Sequence, residues 1–183
     1  MNHIYDQSQG ICPAYAIANA YEKLTGRVMS EKAILELFKA AGGKDDPSAR
    51  DGAIDYGDIL KVAKLAGLIK DYKKVYFNPA ILMKKSPAKA SLLAMGKEEV
   101  KKAAKTKGQA VVLGVFAKDL KLKPDGYVKT NKMGGLHAVC LRSADHDYLV
   151  ENSWGKQWGL DGLFKMTESD FDRMVREAYI LYK

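Results

Sequence analysis

The chain has 183 residues, 47% of them apolar and 28% charged, with a formal net charge of +8; this suits one globular domain or two small lobes sharing an interface. No run of eighteen apolar residues is present, which gives no membrane span, and the N-terminus MNHIYDQSQG has neither the basic n-region nor the apolar h-region of a signal peptide. There are only two cysteines, Cys12 and Cys140, with no CxxC and no Cys/His grouping at zinc-ligand spacing; a disulfide framework and a metal site are without support, and a cytoplasmic or other reducing compartment is expected, cellular or viral.

In chain order, the first predicted helix starts at Cys12. Pro13 suits a first turn, where a missing N–H costs nothing, and Ala14, Ala16, Ala18 and Ala20 favour the helix that follows. Ser30 reads as the N-cap of a second helix over EKAILELFKAA, stopped at Gly42-Gly43. Asp55 caps a third, YGDILKVAKLA, ended by Gly67, with Ile59, Leu60, Val62, Ala63, Leu65 and Ala66 as its apolar stripe. A fourth helix is expected over GKEEVKKAAKTK before Gly108.

After Gly108 the texture turns to strands. QAVVLGVFA is rich in β-branched residues; LHAVCLRS and DYLVEN follow, joined by the turn ADHD, and then GLFKM. Thr167 opens a brief helix in a capping-box relation with Asp170, and REAYILYK closes the chain as a strand. Helices first and strands afterwards predict an α+β protein: a helical lobe over residues 1–107 against a β-rich lobe over 108–183, with a cleft between them.

The charge is unevenly placed. Residues 61–132 carry eighteen lysines, no arginine and five acids, so the remainder of the chain is net acidic. The plain reading is a solvated surface, the alternative an attraction for an acidic partner. Lysine without arginine or interleaved aromatics is poor material for reading nucleic acid.

Three residues carry candidate chemistry. A cysteine at a helix start has its thiolate favoured by unpaired N–H groups and the macrodipole, which makes Cys12 a candidate nucleophile; alone, it reads more readily as a small buried residue at a helix start. His137 opens a strand beside Gly134-Gly135; alone, it reads as a core histidine. Asn152 ends the strand DYLVE, where its carboxamide can fix an imidazole tautomer, although asparagine in such a place is usually a turn residue. Cys140 lies three residues beyond His137 on the same strand, facing the other way, and reads as a core residue. His3 and His146 read as surface groups.

The string ENSWGKQWGLDGLFKM decides between these readings. It resembles the asparagine segment N-S-W-G-x-x-W-G-x-x-G of papain-like cysteine peptidases, with every fixed letter present at Asn152, Ser153, Trp154, Gly155, Trp158, Gly159 and Gly162. GLHAVCLRSADHDYLVENSW resembles the family's histidine strand and return strand. DQSQGICPAYAIANAYE resembles the nucleophile segment, with Tyr15-Ala16 matching its aromatic-alanine pair, and DGAIDYGDILKVAKLAGL resembles the cleft wall in a short-loop form. The order Cys, His, Asn agrees as well; the likeness is thin between about residues 71 and 107.

The resemblance implies a papain-like fold, a helical lobe packed on a β-barrel-like one, and a cysteine endopeptidase that needs no cofactor. It implies Cys12, His137 and Asn152 as catalytic residues, with thiolate and imidazolium as an ion pair. Trp154 would shield the Asn–His bond, and Gly52 and Leu136 would touch a peptide or protein substrate. The oxyanion-hole glutamine falls on Gln7, with Gln9 as fallback, because the usual position, six before the cysteine, is Asp6 here. Other departures are Pro13 after the cysteine, the missing disulfide cysteines, and only eleven residues before Cys12, too few for the family's inhibitory pro-region. An inactive peptide-binding scaffold, an isopeptidase or peptide ligase with the same triad, and a basic nucleic-acid binder stay open as alternatives.

Overall fold

A computed structural model of the protein describes residues 3–6, 11–44, 55–78 and 87–183, with the backbone alone described at 87–89 and 130–133. Three helices come first: α1 (Cys12–Thr25), α2 (Glu31–Ala40) and α3 (Tyr56–Leu65). Their starts follow the expected chemistry. Pro13 occupies the first turn of α1, the Ser30 hydroxyl accepts the Ala33 N–H, and the Asp55 carboxylate accepts the Gly57 N–H. The stripe of α3 is narrower than expected: Ile59, Leu60 and Ala63 are buried, whereas Leu65 is 88% exposed at the helix end, where the last turn rotates off the core.

Then come β1 (Asp71–Phe77), α4 (Pro87–Lys105), β2 (Gln109–Leu122), β3 (Val128–Ala144), β4 (Tyr148–Glu151), β5 (Leu163–Met166), α5 (Glu168–Met174) and β6 (Val175–Tyr182). The strands form one antiparallel sheet in the order β1-β6-β2-β3-β4-β5. The capping box at Thr167 and Asp170 opens α5. β1 and the first nine residues of α4 lie outside the elements expected from the sequence, and β2 and β3 run on past the expected strands into a long hairpin.

Two cores explain the architecture. Along β2, β3 and β6 alternate residues point to opposite faces. Ala110, Val112, Ala138, Cys140, Tyr179 and Leu181 face α1, α2 and α3, and Val111, Leu113, Val139, Leu141, Ala178 and Ile180 face α4 and α5. Small side chains let α1 sit closely between the sheet and the other two helices: Ala14, Ala16, Ala18 and Ala20, which point to different sides of the helix, are all buried in the first core. Enlarging one of them would overpack this contact at about 1–3 kcal/mol. Polar ties cross the same seam. The Lys23 ammonium of α1 donates to the carbonyls of Leu141 and Arg142 on β3, and the Tyr56 hydroxyl of α3 to Leu113 on β2.

β1 and α4 precede residue 108, yet Tyr76, Val100, Ala103 and Ala104 belong to the second core; the sheet and its cover draw on both stretches expected as lobes. No helix among the described residues is long and apolar enough to cross a membrane, and no group of three His, Cys, Asp or Glu side chains among them is placed to hold a metal ion.

Candidate active site

Cys12 is the first residue of α1. Ile11, the cap position, makes no side-chain hydrogen bond to the first turn. The packing of α1 on β3 brings the Cys12 sulfur to the backbone N–H of Ala138, the residue after His137. The helical segment and the sheet thereby meet at the candidate nucleophile. Cys140, a free cysteine like Cys12, is fully buried in the core facing α1.

His137 stands on β3 opposite Val115 of β2. Its Nε2 lies 2.7 Å from Asn152 Oδ1, and both residues are buried. The same carboxamide oxygen accepts the Ser153 N–H at 2.8 Å. That second bond fixes which end of the carboxamide faces the ring, since an NH2 group cannot accept an N–H. Nε2 therefore carries the ring proton, and Nδ1 is left as the basic nitrogen.

Trp154 stacks on the imidazole at 4.7 Å between ring centroids, and Trp158 meets Trp154 edge-on at 5.0 Å. Trp154 thus covers one face of the imidazole, and Trp158 backs Trp154. Two glycines that follow Trp158 are required by geometry. Gly159 and Gly162 have φ of +63° and +84°, and a Cβ on them would lie 2.3 Å from the Leu163 carbonyl oxygen and 2.4 Å from Ile4. The loop is also pinned from the N-terminal side. Asp6 pairs with Trp154 in an isolated bridge, and the Gly155 N–H donates to the Tyr5 carbonyl at 3.0 Å. Asp6, at the position where the resemblance puts a glutamine, is thus engaged with the tryptophan loop through its backbone.

Burial sets the electrostatics. It pushes the Cys12 thiol up to about 11, against the pull of the Ala138 and Cys12 N–H groups, and drives the His137 imidazole down to about 4, against its bond to Asn152. Each charged form is disfavoured when it stands alone. Both shifts run opposite in direction to those that a thiolate–imidazolium pair, as the resemblance implies, would produce.

Leu136 is 51% exposed, next to His137 and opposite Phe116. Gln7, Gln9 and Gly52 lie outside the described residues. One element close to the site escaped sequence reasoning: the long β2–β3 hairpin that continues past His137. Its signal is the alternation LKLK before the turn Pro124-Asp125-Gly126 and the run YVKT after it.

The description "Papain family cysteine protease" belongs to the family model that matches residues 72–181, more than half of the chain, including His137 and Asn152. Cys12 lies N-terminal to that match and is placed by the fold. A bromelain protease from Ananas comosus, solved in complex with the E64 inhibitor, aligns with a TM-score of 0.58 at 13% identity, over 98% of this chain and 92% of that one. A cysteine protease from Carica candamarcensis, in complex with E-64, aligns with a TM-score of 0.61 at 14% identity over the same shares. No curated protein matches the sequence. Identity this low carries the fold alone, but the fold spans nearly the whole chain and the family match covers the strands bearing the histidine and the asparagine: the chain belongs to the papain family of cysteine proteases.

Proposed function

We infer that the protein is a cysteine-type endopeptidase that hydrolyses peptide bonds through a thioester acyl-enzyme. The observation that carries the reading is the buried His137–Asn152 bond on the strand against which Cys12 is packed. Asn152 holds the ring with Nε2 protonated, so Nδ1 can take the thiol proton as general base. The Cys12 sulfur attacks the substrate carbonyl while its proton passes to His137; sulfur and imidazole charges then develop together and neither stands alone in the buried site.

The tetrahedral oxyanion is held by the Cys12 backbone N–H and by Gln7, one such donor being worth roughly 3–4 kcal/mol in the transition state. His137 next returns its proton to the leaving amine, and the C–N bond breaks to give the thioester. In the second half-reaction His137 takes a proton from water, hydroxide adds to the thioester carbonyl, and the thiolate leaves and is reprotonated. Gly52 and Leu136 flank the extended peptide. No cofactor enters either step.

The test is a peptide library digested by the wild-type protein and by Cys12→Ala. Wild type is expected to release new amino termini within peptides, to stop after iodoacetamide treatment, and to bind E-64, the inhibitor present in both solved relatives. Cys12→Ala, folded by circular dichroism, is expected to do none of these. Turnover that survives in the alanine variant would refute the assignment, and ligated or isopeptide-cleaved products would move it to the related acyl-transfer class.

A further inference from the structure

We propose that the β2–β3 hairpin is a substrate-selecting arm that favours peptides with acidic side chains close to the scissile bond; the proposal rests on the peptidase reading above and names its substrate class. The lysine-rich stretch divides in two in the structure. Five lysines on α3, β1 and α4 are matched by acids: Lys64 with Asp71 at 2.8 Å, Lys73 with Glu99 at 2.7 Å, Lys74 with Glu177 at 2.6 Å, Lys97 with Asp172 at 2.9 Å and Lys105 with Asp145 at 3.0 Å. Several of those acids come from the net-acidic remainder of the chain, so this part of the surplus is neutralised at the surface. Lys118, Lys121, Lys123 and Lys129 on the hairpin are exposed and have no ion-pair partner among the described residues.

The hairpin is held firmly from its other side. Leu120 and Leu122 pack with Trp158 on the second core, and Leu122 lies against Gly159. The Gly126 carbonyl accepts the Lys165 N–H at 2.9 Å, and the Tyr127 hydroxyl donates to Asp147 at 2.6 Å. Its apolar side is used up by these contacts, and what remains outward is cationic. The acids of the hairpin are Asp119 and Asp125, and the Asp125 carboxylate accepts the Tyr127 N–H.

The arm is continuous with the site. Val115 stands opposite His137, Phe116 opposite the exposed Leu136, and the next register pair is Lys118 with Lys132. At about 3.4 Å per residue, Lys118 lies roughly 10 Å along β2 from the His137 pair, the span of about three residues of an extended peptide. A substrate laid from the sulfur along β3 towards the hairpin would reach Lys118 first, whose side chain lies beside Gly134 and Gly135. Lysine without arginine, and a hairpin tyrosine whose hydroxyl is already engaged, favour carboxylates over nucleic-acid bases.

Each exposed ammonium–carboxylate contact is expected to change kcat/KM by roughly two- to fivefold, and salt to weaken it. The experiment compares peptides identical except for Asp or Lys within three residues of the cleaved bond, with wild type and Lys118→Glu/Lys121→Glu. Expected are a several-fold preference of wild type for the Asp peptides at low salt, its loss at high salt, its inversion in the double variant, and unchanged cleavage of a neutral peptide. In parallel, fluorescence anisotropy measures binding of the same peptides to Cys12→Ala with and without the two charge reversals, so a chain that cleaves nothing still reports on the arm while the peptidase reading alone falls. Equal handling of Asp and Lys peptides, or a preference the reversals leave untouched, would overturn the proposal. So would charge reversals that abolish only a salt-dependent shift of an oligonucleotide, which would make nucleic acid the partner.

Discussion

His137 Nε2 donates to Asn152 Oδ1 across 2.7 Å, and the same oxygen takes the Ser153 N–H, so the tautomer of the buried imidazole is dictated by the chain turn that follows β4. Removing the carboxamide lets the ring choose either tautomer and leaves its N–H without a buried partner, at about 1–3 kcal/mol. Asn152→Ala is therefore expected to lower kcat/KM about ten- to a hundredfold, mostly in kcat, while E-64 still binds Cys12. Steady-state kinetics on one peptide checks this; an unchanged kcat would remove Asn152 from the mechanism.

Trp154 lies flat on the imidazole with a 24° angle between the planes. Truncating it opens the His–Asn bond to water, and a bond in a wetter surrounding is weaker. Trp154→Ala is expected to cost about tenfold in kcat and to speed exchange of the His137 Nε2 proton, read in the downfield proton NMR spectrum. Trp154→Phe should restore most of both. Exchange as slow in the alanine variant as in wild type would show that the indole shields nothing.

Burial holds the His137 imidazole at about 4, below its ordinary 6.5. Between these values the unfolded chain binds a proton that the folded chain does not, so stability falls as pH drops from about 6.5 towards 4, by about 3 kcal/mol in total, and gains nothing further from this group above 6.5. Urea melts at intervals from pH 4 to 7.5 are expected to show the slope in wild type and to lose this part of it in His137→Gln. A thiolate–imidazolium pair in the free protein would raise the histidine instead and reverse the difference between the two proteins.

Glu151, fully buried at the end of β4, forms an ion pair with Arg142 of β3 immediately before Asn152. Breaking it leaves an uncompensated buried carboxylate, whereas replacing both partners by apolar residues does not. Arg142→Met is expected to destabilise by about 3–5 kcal/mol, and the double change Arg142→Met with Glu151→Met to recover most of that, both by denaturant unfolding. Equal losses in the single and double variants would mean that packing, rather than charge, holds this corner.

Local chemistry was readable from the chain. The caps at Ser30, Asp55 and Thr167 and the proline in the first turn of α1 act between residues at most a few positions apart, so the structure reproduces them. The hairpin beyond Ala117 was missed because its alternation, LKLK, is only four residues long and is set off from QAVVLGVFA by Lys118-Asp119, and β1 because its single deeply buried residue, Tyr76, gives no alternation to see.

By itself, the sequence determined where α1 begins, which residues cap α2, α3 and α5, and the family, through a tryptophan–glycine string whose positive-φ sites only glycine fills without strain. Only the tertiary structure decided that Ala138 meets the Cys12 sulfur, that Asn152 turns its oxygen to His137, that burial pushes the Cys12 thiol up and the His137 imidazole down, and that Lys118, Lys121, Lys123 and Lys129 have no ion-pair partner among the described residues while Lys97, Lys101 and Lys105 on α4 have one. These depend on contacts between residues far apart in the chain and on how much water the packed lobes exclude, and neither is written in any short stretch of sequence.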